Sequence, residues 1–206
     1  MLSRFYIRCV FSCLYITFSL YGIGCLFVRE DDFAPSVALS PKTELELSDI
    51  VVTSVDGDFL ALLPKNWTFI EKTSLQLSDV FAIAINPEYN SSLVFTKIPF
   101  AEKKEILPFD NKELIRIGIA KHIAKSSGKV RQLGKGYELI LGPKKFGYFE
   151  YIGSQQTHKT RSVVCLSSLG NIYEISLVPV SVTGKSAPSE EVSDKLFRSF
   201  ITAIQY

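Results

Sequence analysis

Histidine is nearly absent from this sequence: His122 and His158 are the only two. Cysteine is scarcer than its count of four implies. Cys9, Cys13 and Cys25 lie in or at the end of an N-terminal apolar run, so Cys165 stands alone in the body and no internal disulfide can form there. His-Glu-x-x-His, Cys-x-x-Cys and Gly-x-Ser-x-Gly are all missing, which excludes the zinc-protease helix, the dithiol redox pair and the hydrolase elbow. Gly134-Lys135-Gly136 is too short for a phosphate loop and reads as a bulge. His122 falls on or beside an apolar helix face, His158 falls in a polar loop, and Cys165 sits mid-strand in Val163-Val164-Cys165-Leu166. They read as a packed or surface histidine, an exposed one and a buried inert thiol. No catalytic residue, metal or cofactor is expected.

A surplus of one charge is also missing. Arg4 and Arg8 are the only charged residues among 1–25, which leaves 21 basic and 21 acidic residues in the remainder. A neutral body lacks the basic excess that nucleic-acid binding draws on.

What is present begins with a targeting pattern. Residues 1–8 carry two arginines and no acid, Cys9 to Val28 carries no charge, and Arg29 is followed by Glu30, Asp31 and Asp32. Positive before and net negative after places the N-terminus in the cytoplasm and the body on the far side. Gly22-Ile23-Gly24 before Cys25 resembles the lipobox of bacterial lipoproteins, which wants a small residue ahead of an invariant cysteine. The family prefers Leu where this chain has Gly22, with Leu20 two residues further back. The resemblance implies a signal peptide over 1–25, cleavage between Gly24 and Cys25, and lipid on Cys25. Leu26 stands where enteric lipoproteins use Asp for inner-membrane retention, which favours outer-membrane sorting. The alternative is an uncleaved signal anchor, since a span needs about 20 apolar residues. Residues 26–48, interrupted by Pro35 and Pro41, read as a flexible tether, with Leu45 to Val52 as a competing edge strand.

From residue 49 the pattern is that of one folded domain. Asp56-Gly57 marks a hairpin. Strands are expected over 59–63, 67–70, 79–85, 93–98, 130–141 with a break at Gly134, 146–152, 161–169 and 172–178, the last two joined by Gly170-Asn171. A helix is expected over 110–125, capped by Asp110 with Glu113 in a capping box, and burying Leu114, Ile115, Gly118, Ile119, His122 and Ile123. A second opens at Pro188 and Ser189 and carries a stripe of Val192, Leu196, Phe197, Phe200, Ile201 and Ile204. Short loops between neighbouring strands imply an antiparallel sheet. The whole is expected to be an α+β domain over 49–206, with helices packed on the sheet faces, preceded by the signal or anchor segment.

Pro64-Lys65-Asn66-Trp67 after a strand, a mid-chain helix, a strand meander and a closing Leu196-Phe197-Arg198-Ser199-Phe200 segment resemble PsbP-like proteins and the DcrB-type bacterial lipoproteins of the same fold. The resemblance covers residues 50–206. It implies an accessory or binding role, with no catalytic residues to carry over.

Together these readings point to an envelope lipoprotein facing away from the cytoplasm, periplasmic or on the outer membrane. It would be held to the membrane through Cys25 and would bind a partner protein of the envelope. Its candidate binding surface is a cluster of Lys121, Lys125, Arg131, Lys135, Lys144 and Lys145, weighed against ordinary solvated faces. Trp67, Tyr148 and Tyr151 are further surface candidates, each weighed against core packing.

Overall fold

The computed structural model describes residues 33–40, 42–71, 79–99, 110–154 and 156–206. The expected leader, with Gly24 and Cys25, lies outside the described residues. In chain order the elements are β1 (Val37–Leu39), β2 (Leu47–Thr53), β3 (Leu60–Pro64), β4 (Thr68–Glu71), β5 (Val80–Ile85), β6 (Ser91–Ile98), α1 (Asn111–Lys125), β7 (Val130–Leu141), β8 (Lys144–Gly153), β9 (Thr160–Leu166), β10 (Ile172–Pro179), α2 (Glu190–Ile201) and β11 (Ile204–Gln205). Eight strands form one sheet in the order β1-β7-β8-β9-β10-β6-β5-β4, and three form a second in the order β11-β3-β2. The class is α+β.

Successive side chains on a strand point to opposite faces, so the large sheet builds two cores. Tyr148, Val163, Tyr173 and Ile175 point to one face and pack with Phe197, Phe200 and Ile201 of α2 and with Val52, Ala61 and Leu63 of the small sheet. Phe149, Tyr151, Val164 and Ile172 point to the other and pack with Leu114 and Ile115 of α1. β5, whose two apolar faces mark an internal strand, is flanked by β4 and β6.

The expected tether needs correcting. Within residues 26–48, β1 pairs in parallel with β7, Val37 opposite Leu139. Phe33 bridges to Gly136, and Ala34 donates its N–H to the Gly136 carbonyl at 2.9 Å. The prolines stop a helix there but do not prevent an edge strand, where a missing N–H is tolerated. The competing reading of residues 45–52 matches β2. The compact body therefore begins at Phe33.

Asp110 caps α1, its side chain accepting from the Lys112 N–H, while Glu113 pairs with Arg116 at 3.1 Å instead of closing a capping box. The helix lies close to the sheet because three glycines leave room. A Cβ on Gly118 would stand 2.8 Å from the Phe149 ring and 3.0 Å from Val164. One on Gly147 would stand 2.7 Å from Ile115, and one on Gly136 2.8 Å from the same residue. Overpacking of this kind costs about 1–3 kcal/mol. Gly118→Val is expected to lose that much, read as a lower urea midpoint at constant slope. An unchanged midpoint would mean that α1 moves off the sheet without penalty.

Two boundaries differ from expectation. α2 ends at Ile201, and Ile204 continues as β11 opposite Ala61 of β3. The small sheet captures the chain end, and Val192, counted in the apolar stripe, is 58% exposed. β9 stops at Leu166, because Ser167 turns the chain by accepting the Asn171 N–H at 3.1 Å. Leu169, read as strand, sits 64% exposed in that turn.

Candidate functional site

Among the described residues, Glu150 and Glu190 pair with Lys159 and with the buried Arg161, and two further polar clusters lie one on each face of the large sheet. On the α2 face, the β2–β3 turn meets the β9–β10 turn. Gly57 adopts the left-handed conformation that the tight Asp56-Gly57 turn requires, at φ 75°. This aims Asp58 inward. One oxygen of its carboxylate accepts from the Ser54 hydroxyl at 2.9 Å and the Tyr173 hydroxyl at 2.6 Å. The other accepts from Asn171 Nδ2 at 2.8 Å and from the Ser167 hydroxyl. Burial pushes the Asp58 carboxyl up, but the bonds from Ser167, Tyr173, Asn171 and Ser54 outweigh it and hold it well below the usual range.

Beside this knot lies an open cleft of about 150 Å³ lined by Ser54, Val55, Asp79, Phe81, Lys97, Pro99 and Tyr173. Two ion pairs bracket it: Lys97 with Asp56 at 2.5 Å and Lys125 with Asp79 at 2.5 Å. Val55 stands at its mouth, 75% exposed. A cleft of this size is below the roughly 300–1,000 Å³ of small-molecule sites. It can seat one or two side chains of a partner.

The second cluster lies beneath α1. Glu174, on β10, is fully buried. Lys121 Nζ donates to one of its oxygens at 2.6 Å, and His122 Nε2 lies 2.5 Å from the other. The Ser176 hydroxyl donates to Glu174 at 3.1 Å and lies 2.6 Å from the Ser162 hydroxyl. The His122 ring lies 4.2 Å from the Tyr151 ring, tilted 31° to it. Burial pushes the Glu174 carboxyl up, but His122 and then Lys121 outweigh it and hold it at about 2. Both oxygens are occupied and enclosed, so the carboxylate is a tie rather than a base open to substrate. Cys165 is wholly buried on the α2 face, and burial, with the Asp58 charge, pushes its thiol well up. That removes the thiolate a nucleophile needs.

The expected basic cluster does not assemble. α1 runs from Asn111, bonded to Glu138, to His122 over Tyr151. Lys145 pairs with Glu138 at 3.6 Å at the helix start, whereas Lys121 and Lys125 lie ten and more residues along, about 15 Å away. Lys121 is turned inward on Glu174. Arg131, opposite Ile152, falls on the α2 face, and Lys135 sits in the bulge between Leu133 and Tyr137. Lys144 donates to the Ile204 carbonyl at 2.5 Å. Proximity in sequence became separation in space because a hairpin and a helix distribute neighbours over both faces and both ends of the sheet. His158 is exposed in its loop, and Trp67, Tyr148 and Tyr151 are core residues, at most 9% exposed. Asp58 and Glu174 escaped the sequence reading. Asp58 had only the turn signal Asp56-Gly57 nearby. Glu174 carried a usable one, an acid in the middle of an apolar strand.

No described protein family and no curated protein sequence matches the chain. Among solved structures it is similar to cyanobacterial PsbP (CyanoP) from Synechocystis sp. PCC 6803, at 12% identity over 76% of this chain and 92% of that one, with a TM-score of 0.51. It also aligns with the Ran-binding protein Mog1p of Saccharomyces cerevisiae, at 14% identity over 78% of this chain and 96% of that one, with a TM-score of 0.45. The chain shares the fold of the PsbP-like proteins.

Proposed function

We propose that this protein is an exported lipoprotein, anchored through Cys25, whose domain is a non-catalytic binding or assembly module of the cell envelope. The observation that carries the module reading is the state of its reactive groups. Glu174, His122 and Asp58 serve as ties between elements, Cys165 is enclosed, and the cleft beside Tyr173 suits a partner's side chains better than a substrate. The anchor rests on the charge-free run from Cys9 to Val28 and on Gly24-Cys25 at its end. The partner is an envelope protein met at the Val55 end of the sheet. The likeness to CyanoP adds fold alone, and a fold does not assign a role.

Intact mass spectrometry of protein extracted from membranes tests the anchor. A chain starting at Cys25 and carrying acyl groups is expected; one starting at Met1 would establish the signal-anchor alternative. A photo-crosslinker at Val55 tests the module and is expected to trap one defined envelope protein. Loss of that protein when only residues 26–32 are changed would sink the module reading.

A further inference from the structure

Asp58 carries a negative charge that meets only neutral groups. Its four donors are the hydroxyls of Ser54, Ser167 and Tyr173 and the amide of Asn171, and among the described residues it forms no ion pair. Neutral dipoles hold the carboxylate ionised but leave its charge uncancelled, so it projects a negative field. Two of those donors, Ser54 and Tyr173, also line the cleft. The charge therefore stands one hydrogen bond behind the cleft wall. Burial, then the bond to Asp58 and the charges of Asp58 and Asp56, push the Tyr173 hydroxyl up, which is the same field felt at the lining.

Around the cleft, the carboxylates of Asp56, Asp58 and Asp79 stand against the ammonium groups of Lys97 and Lys125, which leaves one negative charge over. Neither lysine is firmly committed. Lys97 is 41% exposed and Lys125 54% exposed in their pairs, and exposed pairs contribute little, so each can give way to a better partner. Val55, Phe81, Pro99 and the Tyr173 ring supply an apolar and aromatic lining. A group that suits this cleft is cationic at its tip, planar, and apolar along its stem.

Deepening the module reading above, on which it rests, we infer that the cleft seats an arginine side chain of the partner protein. The guanidinium lies against Phe81 and Tyr173 and pairs with Asp56 or Asp79 in place of the resident lysine. A lysine from the partner would only repeat the ammonium already there, whereas the guanidinium fork binds a carboxylate bidentately and packs on aromatic rings. The aliphatic stem covers Val55, which gives that exposed apolar side chain a use.

The test uses the full chain in non-ionic detergent micelles, with isotope-labelled valine methyl groups read by NMR. The probe is the peptide acetyl-Gly-Arg-Gly-amide. Its citrulline counterpart keeps the shape without the charge, and its lysine counterpart keeps the charge without the fork. Val55 reports on the cleft, and Val192, exposed beside Glu191 on α2, reports non-specific attraction. The arginine peptide is expected to shift Val55 in a saturable way and leave Val192 in place. The citrulline peptide should bind about fivefold more weakly and the lysine peptide about twofold more weakly. Asp56→Asn is expected to weaken the arginine peptide by about threefold. Lys97→Gln is expected to tighten it by about threefold, because the competing ammonium is gone, and a purely structural lysine would yield no such gain. A Val55 signal that stays in place, or moves equally with the citrulline or lysine peptide, overturns the inference, as does weaker binding by Lys97→Gln. The photo-crosslinker at Val55 separates the two levels. If it traps one defined envelope protein while the arginine peptide leaves Val55 unmoved, this inference alone fails; if it traps none as well, the module reading fails with it.

Discussion

Glu174→Gln is expected to destabilise the protein by about 3–5 kcal/mol, because removing one partner of a buried ion cluster leaves the others uncompensated. Lys121 and His122 have side chains only 11% and 18% exposed, and both point at the carboxylate. The amide keeps the shape of Glu174 but offers one acceptor oxygen where Lys121, His122 and Ser176 converge on two. Urea unfolding reads the loss as a lower midpoint. A double replacement, Lys121→Met with Glu174→Met, is expected to recover much of it, since well-packed apolar groups often match a buried pair. A change below about 1 kcal/mol for Glu174→Gln would show that apolar packing alone holds α1 to the sheet.

The same carboxylate makes the fold acid-sensitive, and the sign follows from its depressed value. In the folded protein Glu174 titrates at about 2, against 4.5 when unperturbed. Its contribution, about 3 kcal/mol by linkage, is complete above the unfolded value and is lost as the pH falls from 4.5 toward 2. The gap in stability between wild type and Glu174→Gln should therefore close in that window. A gap that stays constant into acid would mean that charge is not what the residue supplies.

Asp58→Asn is the second large effect. Four donors converge on this carboxylate from Ser54, Ser167, Asn171 and Tyr173. An amide nitrogen in place of one oxygen would face donors with a donor. Hydrogen bonds to a charged group contribute about 1.5–3 kcal/mol each and do not add in full, so a loss of about 3–4 kcal/mol is expected. The damage should be local in character. Asp58 joins the β2–β3 hairpin to the β9–β10 turn, so amide exchange should quicken in those hairpins and leave α1 protected. Asp56→Asn is the control. Its pair with Lys97 is about 40% exposed on both sides, and exposed pairs contribute about 0–1 kcal/mol. Uniform loss of protection in Asp58→Asn would mean that the turns unfold with the whole domain. The folded carboxyl lies below its unperturbed 3.8, so this contribution is present above that value and fades as the pH falls beneath it.

Local chemistry was readable along the chain. Asp110 and the spacing of Leu114, Ile115 and Gly118 mark a helix, because side chains three and four apart share a face whatever lies opposite. Asp56-Gly57 marks a turn because few residues accept a positive φ. The α+β class follows from the succession of such segments, and the charge-free N-terminal run is legible for the same local reason. The end of α2 differs because a strand distant in sequence decided it, and the end of β9 because a serine hydroxyl closed a local turn. Ile204 reads as helix until β3 captures it, and Leu169 reads as strand until Ser167 closes the turn.

What only the tertiary structure decided is which charges meet. His122 and Glu174 are 52 residues apart, and Asp58 lies 109 residues or more from three of its four partners. No periodicity records such a pairing, since it depends on how strands order themselves in a sheet and on which face each side chain emerges. The same ordering broke the basic run from Lys121 to Lys145 into separate ion pairs and drew residues 33–39 from a tether into the sheet edge. Short-range sterics and hydrophobic spacing are written in neighbouring residues. Electrostatic pairing at long range is settled by topology, because strands distant in sequence become neighbours only once the sheet has closed.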